Sequence, residues 1–256
     1  MRIATWNVNS LRARLPRVLE FLERQSPDIV CLQETKVVDE LFPREALEDA
    51  GYTVAFHGQK TYNGVAILAK GRIEDVQAGI PGTSHPEARV LAATVGDLLL
   101  LDLYVVNGQE VGCEKYAYKL AWLRDVAAYI RDRFPMDEKV IVTGDFNITF
   151  DDRDVYDPDG WREKILCSTP EREALAHLMA PGLRDALRKH TEDAGVYTWW
   201  DFRTKGFQRG NGLRIDHFLL SPPAYELCTG VEVDLAARDG EKPSDHAPVI
   251  ATFGEA

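Results

Sequence analysis

Polar side chains that could do chemistry stand at the ends of strongly apolar segments. Asn7 and Glu34 each follow one such segment near the N-terminus, and Asp145 follows another. Asp216 interrupts a further apolar segment, and His246 immediately precedes the last of them. Taken alone, each residue fits a turn, a cap or a hydrogen-bonded core position. Because strand ends are where a rigid scaffold holds functional groups, the placements together predict one shared site.

The residue types at these positions favour a particular chemistry. Carboxylates and amides without a cysteine cluster are typical ligands of a hard cation such as Mg²⁺. Mg²⁺ usually takes one or two protein carboxylates and completes its shell with water and substrate phosphate. An aspartate paired with a histidine can contact a phosphate or transfer a proton. The residues themselves therefore predict a Mg²⁺-dependent phosphoester hydrolase.

An aromatic and basic segment, residues 199–214, is the second chemical feature. It holds two tryptophans, four cations and a single anion, Asp201. Basic side chains interleaved with aromatic ones suit a DNA backbone together with an unstacked sugar or base. Core packing of Trp199 is the alternative, and it could apply to part of the segment. The composition favours a DNA-facing loop.

The apolar periodicity predicts the elements that position these residues. The chain begins β-α-β, with strands at residues 2–7 and 29–33 around a helix that Pro27 ends. Thr169 and Pro170 are expected to open a later helix as its N-cap and first residue. Further helices are expected at residues 44–50 and 114–134, and further strands at residues 52–56, 64–69, 90–95, 98–106, 139–143, 213–220, 231–234 and 248–253.

Helices follow some of these strands and hairpins follow others. This mixture predicts mixed sheets with helices packed outside them, in one domain over residues 1–256. No glycine-rich nucleotide-binding motif is present.

Overall composition narrows the class of protein. A net charge of −11 argues against a protein that coats nucleic acid, although a local basic face remains possible. The apolar segments are too short for a membrane span, and we expect no signal peptide. The four cysteines are scattered without a CxxC pair, so we expect no zinc or redox motif and a cytoplasmic, reducing location. The aspartate-rich residues 151–160 do not match a calcium loop, since Asp157 stands where glycine is required.

Several short motifs occur in an order that resembles one family. The chain resembles the exonuclease III group of abasic-site (AP) endonucleases, within the endonuclease/exonuclease/phosphatase superfamily. Each motif is weak alone, but the ordered set is specific. The matching pieces are TWNVNSLR at 5–12, LQETK at 32–36, LYVVNG at 103–108, GDFNI at 144–148, WWDFR at 199–203, KGF at 205–207, GLRID at 212–216 and SDHAP at 244–248.

The resemblance implies a fold and a set of roles. The fold would be a four-layer α/β (α+β) sandwich, in which two packed mixed β-sheets are flanked by helices. Glu34 would be the principal metal ligand, and the metal site as a whole would be formed by Asn7, Glu34, Asp145, Asn147 and Asp245. The catalytic residues would be Tyr104, Asp145, Asn147, Asp216 and His246. DNA would be bound by Asn9, Arg12, Lys115, Trp199, Phe202, Arg203, Lys205 and Phe207, although Lys115 also fits a solvated residue at a helix start.

The activity implied by the resemblance is DNA repair. We expect a monomeric Mg²⁺-dependent phosphodiesterase, with Mn²⁺ able to substitute, that cleaves duplex DNA 5′ to abasic sites. Activity at 3′ ends, as an exonuclease or a 3′-phosphatase, is expected beside it. A phosphoesterase for a small molecule, RNA or lipid and an inactive DNA-binding module are the alternatives. The balance of activities, the number of metal ions, and whether Asp145 or His246 removes the proton stay open.

Overall fold

The computed structural model describes residues 1–254, and its strands form two six-stranded mixed sheets. The strands are numbered in chain order. The first sheet has the order β11-β12-β1-β2-β4-β3 and consists of β1 (Arg2–Asn7), β2 (Ile29–Gln33), β3 (Thr53–His57), β4 (Val65–Ala69), β11 (Cys228–Val233) and β12 (Val249–Phe253). The second has the order β5-β6-β7-β8-β10-β9 and consists of β5 (Glu74–Ala78), β6 (Val90–Val95), β7 (Leu98–Tyr104), β8 (Lys139–Asp145), β9 (Arg184–Asp185) and β10 (Asp216–Leu220).

Helices connect and cover these strands. The α-helices are α1 (Leu11–Gln25), α2 (Arg44–Asp49), α3 (Glu114–Arg133), α4 (Pro158–Trp161), α5 (Thr169–Met179), α6 (Gly206–Arg209) and α7 (Pro222–Leu227). Short 3₁₀ helices lie at Asp39–Leu41, Asp152–Asp154, Leu187–Lys189 and Leu235–Arg238. No helix within residues 1–254 has both the length and the apolarity needed to cross a membrane.

The layers arise from the alternation of side chains along each strand. Ile3 and Ile67 of the first sheet share a buried cluster with Leu100 and Ile141 of the second, so the inner faces pack together. On the outer faces, α1 packs on the first sheet, while α3 and α5 cover the second. Each fully buried aliphatic or aromatic side chain stabilises the fold by about 1.5–3 kcal/mol. The predicted four-layer sandwich is confirmed.

One edge of the sandwich collects the strand ends that carry the predicted site. β1 and β2 are parallel, as are β7 and β8, so in each pair the carboxyl ends lie together. Tyr104 stands beside Asp145 in the register of β7 and β8. Asp216, the first residue of the antiparallel β10, lies opposite Asp145. The topology alone therefore brings three of the predicted residues to one edge.

Two local predictions need correction, and β5 was missed. β10 begins at Asp216, because Leu213 instead forms isolated bridges with Val155 and Trp199. The N-cap of α5 is Ser168 rather than Thr169. Ser168 forms a capping box with Glu171, which satisfies backbone N–H groups that the first helical turn leaves free. β5 was not predicted because all five of its side chains are exposed, so it lacks an apolar alternation.

Candidate active site

Asn7 links the ends of the two sheets. Its side-chain amide donates to Glu34 Oε1 at 2.9 Å and to Asp145 Oδ2 at 2.9 Å. Asn7 Oδ1 accepts from the backbone N–H of Asn9 at 3.0 Å, which fixes the orientation of the amide. Glu34 has a φ of +51°, so the chain turns sharply where β2 ends. Such left-handed residues persist only where the surroundings hold them, and they cluster at functional sites.

His246 lies between two aspartates at the same edge. Its Nδ1 is 2.9 Å from Asp216 Oδ2, and its Nε2 is 3.7 Å from Asp145 Oδ2. Thr198 Oγ1 donates to Asp216 Oδ2 at 2.6 Å, so the carboxylate is held from both sides. The structure thus brings together the Asp216–His246 pair expected from the sequence.

Burial and charge act in opposite directions on these groups. Burial lowers the pKa of His246, but the charges of Asp216 and Asp145 outweigh it and raise that pKa above its usual value. Burial raises the pKa of Asp145, while the charge of His246 opposes the rise. Both directions follow from burying His246 and Asp145 close together in one dry site.

Asn147 is held by backbone and side-chain contacts. It has a φ of +50°, and its backbone N–H donates to Asp145 Oδ1 at 2.9 Å. Its amide donates to Val105 O at 3.0 Å, and its Oδ1 accepts from Asn107 Nδ2 at 3.1 Å. The preceding Gly144 is required, since a Cβ there would lie 1.9 Å from Leu103 O. Two amides therefore meet beside Asp145.

Tyr104 presents its hydroxyl to the same negative cluster. Burial raises the pKa of Tyr104 well above its usual value, and the charges of Glu34 and Asp145 raise it further. The guanidinium of Arg89 lies 4.6 Å from the ring centroid and donates to Tyr104 O at 3.2 Å. The phenol is consequently a fixed, protonated hydrogen-bond donor at neutral pH.

Asp245 joins the site to the aromatic segment. Its Oδ1 accepts from Asn9 Nδ2 at 2.9 Å, and its Oδ2 accepts from Trp199 Nε1 at 3.1 Å. Burial raises the pKa of Asp245, but the charge of His246 and these two hydrogen bonds reverse the effect and lower it. Trp199 is half-buried and packs against Leu213 and its neighbours. Core packing, the alternative that the sequence left open, therefore applies to part of the Trp199 side chain, and its DNA-binding role stays a prediction.

The remaining predicted DNA-binding residues lie on the surface. Phe202 is 45% exposed, whereas Phe207 packs edge-on against Trp200 with their ring centroids 5.0 Å apart. Both phenylalanine rings also face Arg238, at 5.4 Å and 4.7 Å. The aromatic and basic segment is thus packed against the protein at Phe207 and exposed to solvent at Phe202. The cations that stay exposed are Arg12, Lys115, Arg203 and Lys205.

Sequence reasoning missed some of the polar residues at the site. Lys36 Nζ lies 2.8 Å from Glu34 Oε2 and donates to Asn9 Oδ1 at 2.6 Å. Asn107 follows β7 within one of the recognised motifs, so the strand-end argument could have found it. Thr198 had no sequence signal, because its partner Asp216 is distant in the chain.

The oxygen and nitrogen atoms of the site can be compared with the ligands that a metal ion requires. Asp145, Asp216 and His246 each offer a ligand atom within 4.8 Å of the others. His246 already hydrogen-bonds Asp216, however, so a cation is better served by the Glu34 side of Asp145. The carboxylates of Glu34 and Asp145 meet there on either side of the Asn7 amide, without sulfur. This set fits a hard divalent cation, which would also balance the clustered negative charge.

Comparisons with known proteins agree with this architecture. The model of the Endonuclease/Exonuclease/phosphatase family matches residues 4–246. Exodeoxyribonuclease III of Haemophilus influenzae is 37% identical over 99% of this chain and 100% of the relative. The 3′ phosphatase NExo from Neisseria, bound to a product DNA hairpin, is 45% identical with a TM-score of 0.96, and both chains are covered completely. An AP endonuclease from Archaeoglobus fulgidus is 37% identical with a TM-score of 0.96, over 99% of each chain. This chain, which shares its fold and most of its length with these enzymes, belongs to the endonuclease/exonuclease/phosphatase family.

Proposed function

We propose that this protein is a metal-dependent DNA-repair phosphodiesterase that cleaves duplex DNA 5′ to abasic sites and also processes 3′ ends. One observation carries the proposal. Asp145 is linked through Asn7 to Glu34, and it also faces the Asp216–His246 pair. A carboxylate placed between a cation site and a phosphate-binding pair suits water attack at phosphorus. The relatives, an exodeoxyribonuclease, a 3′ phosphatase and an AP endonuclease, support the choice of DNA.

The proposed cofactor is Mg²⁺, with Mn²⁺ as a substitute. Glu34 would be its principal ligand, and the oxygens of Asn7, Asp145, Asn147 and Asp245 are the further candidates. When bound, the ion would stabilise the negative charge that develops on the phosphate.

Asp145 is proposed to orient the attacking water. Its Oδ2 is fixed by the Asn7 amide and its Oδ1 by the backbone N–H of Asn147. A carboxylate held at both oxygens keeps its direction as the reaction proceeds, and such preorganisation lowers the barrier.

His246, Asn147 and Tyr104 are proposed to hold the scissile phosphate. Because Asp216 engages Nδ1 of His246, Nε2 is the nitrogen left for substrate, and at 3.7 Å Asp145 does not take up its hydrogen-bonding capacity. The Asn147 amide and the protonated Tyr104 hydroxyl add donors to the same region. Hydrogen bonds aimed at developing charge are typically worth 10²–10³ in kcat, by about 2.7–4 kcal/mol each.

The rim is proposed to bind the DNA. The exposed ring of Phe202 could fill the space left by the missing base, with Trp199 behind it. Exposed cations and the Asn9 amide would contact the backbone, and the candidates are Asn9, Arg12, Lys115, Arg203 and Lys205. The monomer is proposed as the active form.

A gel assay tests the proposal. Three duplexes are compared: one with a central tetrahydrofuran abasic analogue, one with a 3′-phosphate, and one with an undamaged recessed 3′ end. We expect Mg²⁺-dependent cleavage 5′ to the analogue and processing of at least one 3′ end. Excess chelator should abolish both activities, and added Mg²⁺ or Mn²⁺ should restore them.

Glu34→Gln is the matched control for the metal. The substitution keeps the size of the side chain and its contact with Asn7, so we expect a folded protein with a strongly reduced kcat. Full activity in excess chelator would contradict metal dependence. DNA binding without cleavage of any duplex would favour the inactive binding module, and hydrolysis of small phosphoesters alone would favour the other phosphoesterase.

A further inference from the structure

A lysine with no exposed surface lies directly behind the two amides of the site. Lys119 of α3 is paired with Glu171 of α5, and the side chains of both residues are 0% exposed. Lys115, which the family resemblance placed among the DNA-binding residues, stands one helical turn earlier and is exposed. A buried ammonium carries a large desolvation cost, so its partners must account for its place in the fold.

The ammonium of Lys119 holds the backbone of both amide residues. Its Nζ donates to Asn147 O at 2.7 Å, to Asn107 O at 3.1 Å and to the carboxylate of Glu171. These three acceptors match the three N–H groups of a lysine. The side chains of Asn107 and Asn147 hydrogen-bond each other at 3.1 Å, so one cation holds a joined pair.

The surroundings fix the lysine in turn. Glu171 also accepts from Leu166 N at 3.1 Å and from Ser168 Oγ at 2.6 Å. Gly108, with a φ of +90°, leaves room for the stem, because a Cβ there would lie 3.0 Å from Lys119 Cδ. Asn147 itself is in the left-handed region, a conformation that persists only where the surrounding structure holds it.

We propose that Lys119, held by Glu171, is a positioning residue that sets the orientation of Asn107 and Asn147 toward the reacting phosphate without touching it. This inference rests on the proposed function of the site. A small displacement of a positioning group, about 1 Å, can cost about 100-fold in rate. The effect belongs in kcat, because the amides act on the reacting group and the DNA is bound mainly elsewhere.

The test compares Lys119→Met with Lys139→Met, which removes the lysine of a surface ion pair with Asp97. Cleavage of the tetrahydrofuran duplex is measured at saturating Mg²⁺. For Lys119→Met we expect kcat to fall by about 10–100-fold with KM changed by less than about threefold. The affinity for uncleaved duplex in excess chelator, read by fluorescence anisotropy, should stay within about threefold of wild type. Lys139→Met should match wild type in all three quantities.

A second variant guards against a folding defect. Lys119→Met leaves the Glu171 charge buried and unpaired, so the double variant Lys119→Met/Glu171→Gln removes both charges. We expect it to fold and to show the same loss in kcat. A folded variant with wild-type kcat would overturn the proposal, as would a loss confined to KM. Failure of both variants to fold would assign the pair to core stability alone and would equally overturn it.

A spectroscopic measurement separates this inference from the proposed function. Side-chain amide resonances of Asn107 and Asn147 should shift in the Lys119 variants and stay unchanged in Lys139→Met. If wild-type protein cleaves none of the duplexes, the proposed function fails, yet the resonances still report on positioning. Unchanged resonances in an active, folded Lys119 variant would contradict the positioning role.

Discussion

The chemistry of the site depends on which hydrogen-bonding groups already have partners within the protein. Asn7 donates its two side-chain amide hydrogens to Glu34 and Asp145, so it separates the two carboxylates. Nδ1 of His246 hydrogen-bonds Asp216. Nε2 lies beside Asp145, but the distance between them is too long for a good hydrogen bond. The hydrogen-bonding capacity that other protein groups do not use, such as that of His246 Nε2, therefore lies at the centre of the site, where a phosphate would lie.

The pairing of Asp216 with His246 gives a prediction at the residue scale. If Asp216 orients His246, the two act as a unit and their losses should not multiply. We expect His246→Ala to lower kcat/KM by at least about 100-fold. Adding Asp216→Asn to that variant should then cost little more. Steady-state kinetics of the two single variants and the double variant on the abasic duplex measure the coupling, and multiplicative losses would show that the two act independently.

At the residue scale, positions could be predicted where a polar residue ends an apolar segment or lies in a recognised motif, and the chemical roles of these residues stay predictions. The types and spacing of Asn7, Glu34, Asp145 and Asp216 indicated a shared site, and the structure joins them through Asn7 and His246. Lys119 could not be found in this way, because the pattern of an amphipathic helix does not reveal which buried position carries a charge. Its partners also lie far away in the chain and become neighbours only after packing.

At the scale of elements, the aromatic segment divides into an anchor and a free end. Trp200 and Phe207 pack together, and Arg238 lies over both rings at 5.7 Å and 4.7 Å. Trp199 is tied to Asp245, whereas Phe202 is largely exposed. A cation placed over several aromatic faces stabilises their arrangement by about 0.5–2 kcal/mol for each contact. The open end of the segment can therefore meet DNA without losing its support.

This division predicts different outcomes for alanine substitutions at Phe202 and at Trp199. Phe202→Ala should weaken binding to the abasic duplex by roughly 5–150-fold, the equivalent of about 1–3 kcal/mol of stacking, with little change in Tm. Trp199→Ala should weaken binding too, but it should also lower Tm because it removes half-buried packing and the hydrogen bond to Asp245. Anisotropy titrations and thermal melts measure both effects.

Hydrolysis of bis-p-nitrophenyl phosphate, where it is measurable, serves as the control for Phe202→Ala. The small substrate has no base gap to fill, so its turnover should be unchanged. Equal losses on both substrates would show that Phe202 supports the catalytic groups instead of recognising DNA.

The elements themselves were mostly predictable, and the exceptions have physical causes. Alternating or continuous apolar runs identified the strands of the core, since these bury one or both faces. β5 has no buried side chain and stays in the sheet through backbone pairing to β6. Residues 213–215 are buried but lie before β10 and form only isolated bridges, at Leu213, so an apolar pattern cannot distinguish them from a strand.

At the scale of the whole molecule, a buried carboxyl lies between the two sheets. Asp102 is 0% exposed and accepts from Gln33 Nε2 at 2.7 Å, while Gln33 also donates to Thr5 Oγ1 at 2.9 Å. Burial raises the pKa of Asp102 well above its ordinary 3.8. Burial likewise raises the pKa of the nearby Cys31 thiol well above its ordinary value. The folded protein therefore keeps a proton on Asp102 that the unfolded chain releases near pH 4.

The proton on Asp102 predicts a pH dependence of stability. Its contribution is complete below the unfolded pKa of 3.8 and is lost as pH rises toward the folded pKa, by about 1.4 kcal/mol per pH unit. Asp102→Asn keeps the shape and cannot titrate. We expect its stability relative to wild type to increase as the pH rises above 3.8 and to level off once the folded pKa is passed. Denaturant unfolding of both proteins measures the difference, and parallel curves would contradict a protonated Asp102.

The position of β1 has a consequence for how the protein is made. β1 lies between β2 and β12, and the Trp6 indole donates to His246 O at 3.1 Å, so the first strand is completed by some of the last residues. A nascent chain of which only the first two hundred residues have been synthesised contains Asn7, Glu34 and Asp145. It still lacks Asp216, Asp245 and His246. Its β1 edge is still unpaired on one side. We therefore expect nascent or prematurely terminated chains to lack nuclease activity until the last strand has been synthesised.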